Sequence, residues 1–177
     1  HIDHEDENTL VIVDIPMVEK DGKNITYTTM PLGVILTEKN VITVSIRDNA
    51  VVEEFASGVV KGVQMNLKTR FVLYLMLRVA SRYLQYLKQI DKISDFVENE
   101  LRKSMKNSEL MQLLDIEKSL VYFSSSLKGN EITLEKIMRG RVIRLYDEDQ
   151  DLLEDVLIEV KQAIEMSNIH LNILSGT

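Results

Sequence analysis

The chain has no cysteine in 177 residues. That excludes a disulfide frame, a thiolate nucleophile and a zinc ribbon, and it fits a reducing compartment. Basic charge is also in short supply: 21 Lys and Arg face 28 Asp and Glu, a formal net charge of -7. A nucleic-acid face needs concentrated Lys and Arg, so this balance argues against nucleic acid and suits cations better. No run of about 18 apolar residues occurs, so no segment reads as a membrane-spanning helix. The most apolar stretch, Phe71 to Leu77, is too short and reads as core. The charged start His1 to Asn8 carries no secretory signal. Catalytic motifs are missing as well. Ser124 to Ser126 has no Gly-x-Ser-x-Gly elbow and no histidine nearby, Lys61-Gly62 lacks the P-loop pattern, and Gly58 with Gly62 is too sparse for a dinucleotide fingerprint. The chain reads as something other than an enzyme.

What is present begins with β signals. Residues Asn8 to Ile46 hold β-branched, alternating segments punctuated by the turn Asp21-Gly22-Lys23-Asn24, by Pro31 and by the polar Glu38-Lys39-Asn40. They predict four short strands in a mainly antiparallel sheet with one face to be covered. Ala50 to Ala56 predicts one or two helical turns. From Asn66 the period becomes helical. Met76, Ala80, Tyr83, Leu87, Ile90, Ser94, Val97 and Leu101 alternate steps of four and three, a seam in a helix of roughly 60 Å at 1.5 Å per residue. After a polar turn at Lys103 to Asn107, with Ser108 as cap, Leu110, Leu113, Leu120, Phe123, Leu127, Leu134 and Ile137 bring a second helix back. Gly129-Asn130-Glu131 is a polar weak spot in that helix. The predicted fold is α+β: a β-rich part at 1–65, then 66–177, comprising a long antiparallel hairpin (66–138) and a terminal stalk helix (147–177).

The stalk helix starts at Asp147 with Gln150 in a capping-box relation. It is acidic, with eight acids and one base, Lys161, between Asp147 and Glu165. Leu153, Leu157, Val160, Ile164, Leu171 and Leu174 form a seam suited to partner helices. Asp151, Asp155 and Glu159 fall at i, i+4 and i+8. Like charges at that spacing repel by a few tenths of a kcal/mol, a cost that a bound cation removes. Mg2+ uses only one or two carboxylates and keeps several waters, so the row suits a hydrated ion. The plainer role, acids complementing the helix dipole, covers Asp147, Glu148, Asp149 and Asp151. His1 and His4, among acids, read as a solvated end, and His170 as an ordinary helix-face histidine. The Phe71, Tyr74, Met76, Tyr83 and Tyr86 group reads as core.

Three blocks, YTTMPLGVILTEKNVITVS, EKSLVYFSSSLKGNEITLEKI and the acidic terminal helix, stand in an order that resembles the cytoplasmic part of the CorA family of magnesium transporters. The resemblance runs from Asn8 to Thr177. It implies a cytosolic, ion-sensing and gating domain at the cytoplasmic face of the cell membrane. It also implies a homopentamer, and a stalk leading into membrane spans that this sequence does not contain. The divalent ion would be Mg2+, or Co2+, Ni2+ or Zn2+. In the family a stalk aspartate pairs with an acid of the neighbouring subunit to hold a regulatory ion, and matching the Asp-Val pair assigns that role to Asp155, with Asp151 and Glu159 beside it. The family's first strands and helices lie upstream of Ile2, so the partner acid is expected there and the sheet is expected to be incomplete. The alternative is a helical adaptor that needs no metal.

Overall fold

A computed structural model describes residues 1–22, 24–56, 68–140 and 142–176. Lys61, Gly58, Gly62, Asn66 and Arg141 lie outside the described residues. Four strands, β1 (Ile2–Glu5), β2 (Asn8–Asp21), β3 (Asn24–Leu36) and β4 (Val41–Val44), form one antiparallel sheet in sequence order. Helix α1 (Ala50–Ala56) follows, then the long helices α2 (Lys68–Ser104) and α3 (Asn107–Met138), a 3-10 turn at Asp147–Asp149, and α4 (Gln150–Ser175).

Between Asn8 and Ile46 three strands, β2 to β4, stand where four short ones are predicted, and β2 and β3 are long because neither proline stops its strand. Pro16 pairs with Thr29 and Pro31 with Asp14. Asp14 directs its own N–H and C=O away from β3, to Asn130. The pairs at Asp14 and Pro16 are therefore the non-hydrogen-bonded kind. A proline nitrogen there points away from the partner strand and removes no ladder bond. The histidine-bearing start is likewise an edge strand where a solvated end was expected. Asp6 and Glu7, at φ 49° and 68°, make the two-residue turn into β2, and His4 Nδ1 lies 2.8 Å from Thr9 Oγ1. Gly22, at φ 62°, takes the left-handed position of the predicted β2–β3 turn.

One face of the sheet, with Val11, Val13, Ile15, Leu32, Val34 and Leu36, is buried beneath α2 and α3. Helix α4 packs on α2 and α3 and stands off from the sheet, giving three layers. The α2 seam is buried from Met76 through Ile90, as its period predicts. At its centre Tyr83 and Phe123 meet edge to face, ring centroids 5.0 Å apart at 90°, a pairing worth about 0.5–1.5 kcal/mol beyond area burial. Toward the hairpin tip, where neither the sheet nor α4 provides cover, Phe96, Leu110, Met111 and Leu114 are exposed.

Candidate functional site

The stalk helix begins with a buried acid. Asp149 is 1% exposed, accepts the Tyr146 N–H at 3.0 Å and pairs with Arg70 Nε at 3.2 Å. The reciprocal start is thus Tyr146 with Asp149, one residue before the expected Asp147 with Gln150. Arg70 also donates to the Glu148 carbonyl, and Thr69 Oγ1 to that of Arg144. These contacts bolt the start of α4 to the first turn of α2. Arg144 spends its face on Tyr146, 4.9 Å from the ring centroid. Asp149 is therefore structural, and its carboxylate is committed.

The acidic row divides on the helix. A step of four residues turns 400°, so Glu159 lies about 80° round from Asp151. Asp151 and Asp155 are exposed with Glu154, while Glu159 is half-buried with Oε2 3.5 Å from Ser81 Oγ on α2. Asp151, Glu154 and Asp155 make no side-chain ion pair or hydrogen bond among the described residues. Beneath them Leu152, Leu153, Val156, Val160 and Ala163 are buried against α2 and α3. The seam expected to await partner helices is thus used within the chain: Leu153 and Val160 are in its centre, and Leu157, Ile164, Leu171 and Leu174 are at its half-buried margin. Among the described residues no three His, Cys, Asp or Glu side chains form a group that could hold a metal ion.

Behind this helix lies a polar joint that the sequence disguises. Asn130, in the supposed weak spot, is buried inside the unbroken α3. Its Oδ1 accepts the Asp14 N–H at 2.9 Å and its Nδ2 donates to the Asp14 carbonyl at 2.8 Å. Tyr83 donates to the same carbonyl at 2.7 Å. Strand β1 covers β2 only up to this point, so the amide of Asn130 takes the place of the missing neighbour strand. Burial, reinforced by the charge of Asp14 and opposed by a smaller effect of Ser126, raises the Tyr83 phenol well above its ordinary value. The hydroxyl stays a donor. The serine triplet is a joint too: Ser124 Oγ donates to Asn168 on α4 and Ser126 Oγ to Thr29 on β3.

Two more contacts join elements far apart in the chain. Glu54 on α1 receives both Arg78 and Arg82 of α2. His170 turns inward against α2 rather than lying on an open helix face, its side chain 15% exposed and Nδ1 3.7 Å from Asp91 Oδ1. No helix among the described residues is long and apolar enough to cross a membrane.

Comparison with known proteins gives these features a family. The cobalt/magnesium transport protein CorA of Methanocaldococcus jannaschii is 23% identical over 179 residues, covering 99% of this chain and 55% of that protein. The chain therefore spans about half the length of that relative. The soluble domain of the same protein superposes with a TM-score of 0.85 at 18% identity, over 99% of this chain and 70% of the other. The cytoplasmic domain of ZntB from Vibrio parahaemolyticus matches at 0.74 and 8%, over 98% and 67%. At those identities the solved structures establish the fold, the α+β arrangement described above. The family model for the CorA-like Mg2+ transporter protein matches residues 1–176, and the chain belongs to that family.

Proposed function

We propose that this chain is the cytoplasmic regulatory part of a divalent cation transporter, a sensor and gate without catalytic activity of its own. The observation that carries the reading is the outward acidic face of α4. Asp151, Glu154 and Asp155 stand exposed, while the opposite face of the same helix is docked on α2 and α3. Acids held this way repel one another, and an ion shared with a carboxylate of a neighbouring copy relieves that cost. In a homopentamer on the cytoplasmic side of the membrane, Mg2+ bound between copies favours the arrangement that it bridges and shifts the population toward the closed pore. Co2+, Ni2+ or Zn2+ could be carried or sensed by the same means. The sheet and the helices divide the work: the sheet packs beneath the hairpin, and α4 passes the signal along its length. The bolt between Asp149 and Arg70 makes α4 move with α2.

Asp155 is the residue assigned to the ion, with Asp151 beside it and Glu159 contributing least because Ser81 engages it. The test is Asp155→Asn in the full-length protein, reading protection by Mg2+ against heat or proteolysis. Ligand stabilisation follows RT ln(1 + [L]/Kd), so a tenfold loss of affinity removes up to about 1.4 kcal/mol of protection at saturating ion. Unchanged protection would return Asp155 to the role of a helix-start acid.

A further inference from the structure

The far end of the helical hairpin carries a feature that the gating role leaves unused. Helix α4 runs parallel to α2: the contacts Asp149 to Arg70, Glu159 to Ser81 and His170 to Asp91 keep a nearly constant offset of 78 or 79 residues. Ser175, the last residue of α4, is therefore level with Phe96, and α2 continues to Ser104, eight residues or about 12 Å further. Arg102, Lys103, Met105 and Lys106 stand exposed at that tip, Met105 at 78%. Leu110, Met111 and Leu114, in the opening turns of α3, extend the apolar surface. Met105 closes α2 by donating its N–H to the Leu101 carbonyl at 2.8 Å, with φ 51°. Glycine or asparagine takes that left-handed position with less strain, so folding alone gives no reason for a methionine there. Arg102 and Lys106 make no ion pair among the described residues, and Lys103 meets Glu100 only at 3.8 Å.

We propose that this tip is a contact surface for anionic lipid, with Met105 entering the headgroup layer and Arg102, Lys103 and Lys106 meeting the phosphates around it. An apolar point ringed by cations is the chemistry that such a surface recognises. The local charge supports it. Residues 100–111 hold three cations against two acids, Glu100 and Glu109, in a chain whose formal net charge is -7. Asp95, Glu98 and Asp115 lie roughly 9 Å or more back along the helices, about one Debye length at 0.1 M salt. The acids of α4, as far as Glu165, lie further back still. Only the orientation of this contact rests on the reading above, in which α4 signals toward the membrane and the tip points the same way. The contact would couple α2, and through Arg70 and Asp149 the start of α4, to the bilayer surface.

The test uses this chain, whose lack of cysteine lets Met105→Cys carry a single environment-sensitive fluorophore. Ser125→Cys, exposed on α3 about 27 Å from the tip, carries the same label as a control. With vesicles containing phosphatidylglycerol the label at 105 is expected to brighten and shift to the blue, while the label at 125 stays unchanged. Vesicles of phosphatidylcholine alone are expected to leave both unchanged. In co-sedimentation of the unlabelled chain, Lys103→Gln combined with Lys106→Gln should lower partitioning about 25-fold, at about fivefold per cation. Met105→Ser and added salt should each lower it as well, with the helical circular dichroism of the variants unchanged. No shift at 105 with anionic vesicles, an equal shift at 125, or equal binding to phosphatidylcholine alone would each overturn the proposal. So would a shift at 105 that grows with protein concentration in the absence of lipid, which would make a second copy the occupant. Mg2+ is left out throughout, so failure here leaves the role of Asp155 standing, and failure of the Asp155→Asn test leaves this contact standing.

Discussion

Replacing Asn130 tests how the sheet is closed on its side nearest α3. In Asn130→Leu the side chain keeps similar volume and loses both amide groups. The Asp14 carbonyl retains Tyr83 as a donor, but the Asp14 N–H, bonded at 2.9 Å, loses its acceptor. Leaving one buried donor unmatched costs about 1–3 kcal/mol, and the second lost bond adds about 0.5–1.5 kcal/mol. The expected loss is therefore about 1.5–4.5 kcal/mol, a fall in Tm of roughly 3–18 °C for a domain of this size. Urea unfolding followed by circular dichroism measures it, and an unchanged m-value would show that the loss belongs to the folded state. Asn130→Asp sharpens the test. Its neutral carboxyl could accept from the Asp14 N–H and donate to the carbonyl, whereas its charged form sets an oxygen against that carbonyl and buries a charge. Such a carboxyl has a raised folded pKa, so the variant should recover stability relative to wild type below about pH 4 and lose it as pH rises. A loss under about 0.5 kcal/mol for Asn130→Leu would refute the idea that the amide replaces a neighbour strand.

Asp149→Ala removes the buried partner of Arg70 and the acceptor for the Tyr146 N–H. Because Arg70 keeps partial access to water, the expected cost is about 2–3 kcal/mol, below the full range for buried pairs. Hydrogen exchange should rise first in the opening turns of α4. Tyr83→Phe leaves the Asp14 carbonyl bonded to Asn130 and should cost about 1 kcal/mol by urea unfolding. The raised Tyr83 phenol also predicts an alkaline limb. Its contribution is complete below the unfolded value near pH 10 and falls as pH climbs through the folded value, so a pH titration of Tm should show a shallower alkaline decline in Tyr83→Phe. Ala163→Leu places extra volume in the buried α4 stripe and should cost about 1–3 kcal/mol by overpacking, measured as a lower Tm.

Periodicity alone located the helical hairpin, because an amphipathic stripe repeats at the helical period wherever one face is buried, and Met76 to Ile90 obey that rule. The acidic start of the stalk was equally legible, since charge is carried by residue type. The family blocks held enough residue pattern to indicate the lineage. Other features depended on partners distant in the chain. Asn130 looked like a helix interruption, since nothing nearby in sequence announces the unpaired peptide of Asp14, 116 residues away. Pro31 looked like a strand end, since the side of the ladder its nitrogen faces is set by register with Asp14. Asp149 and Asp155 are the same residue type six positions apart, yet one is sealed against Arg70 and the other exposed. A helix turns 600° in six residues, placing those two side chains about 120° apart. Only the packing of α4 on α2 and α3 decided which of them faces inward.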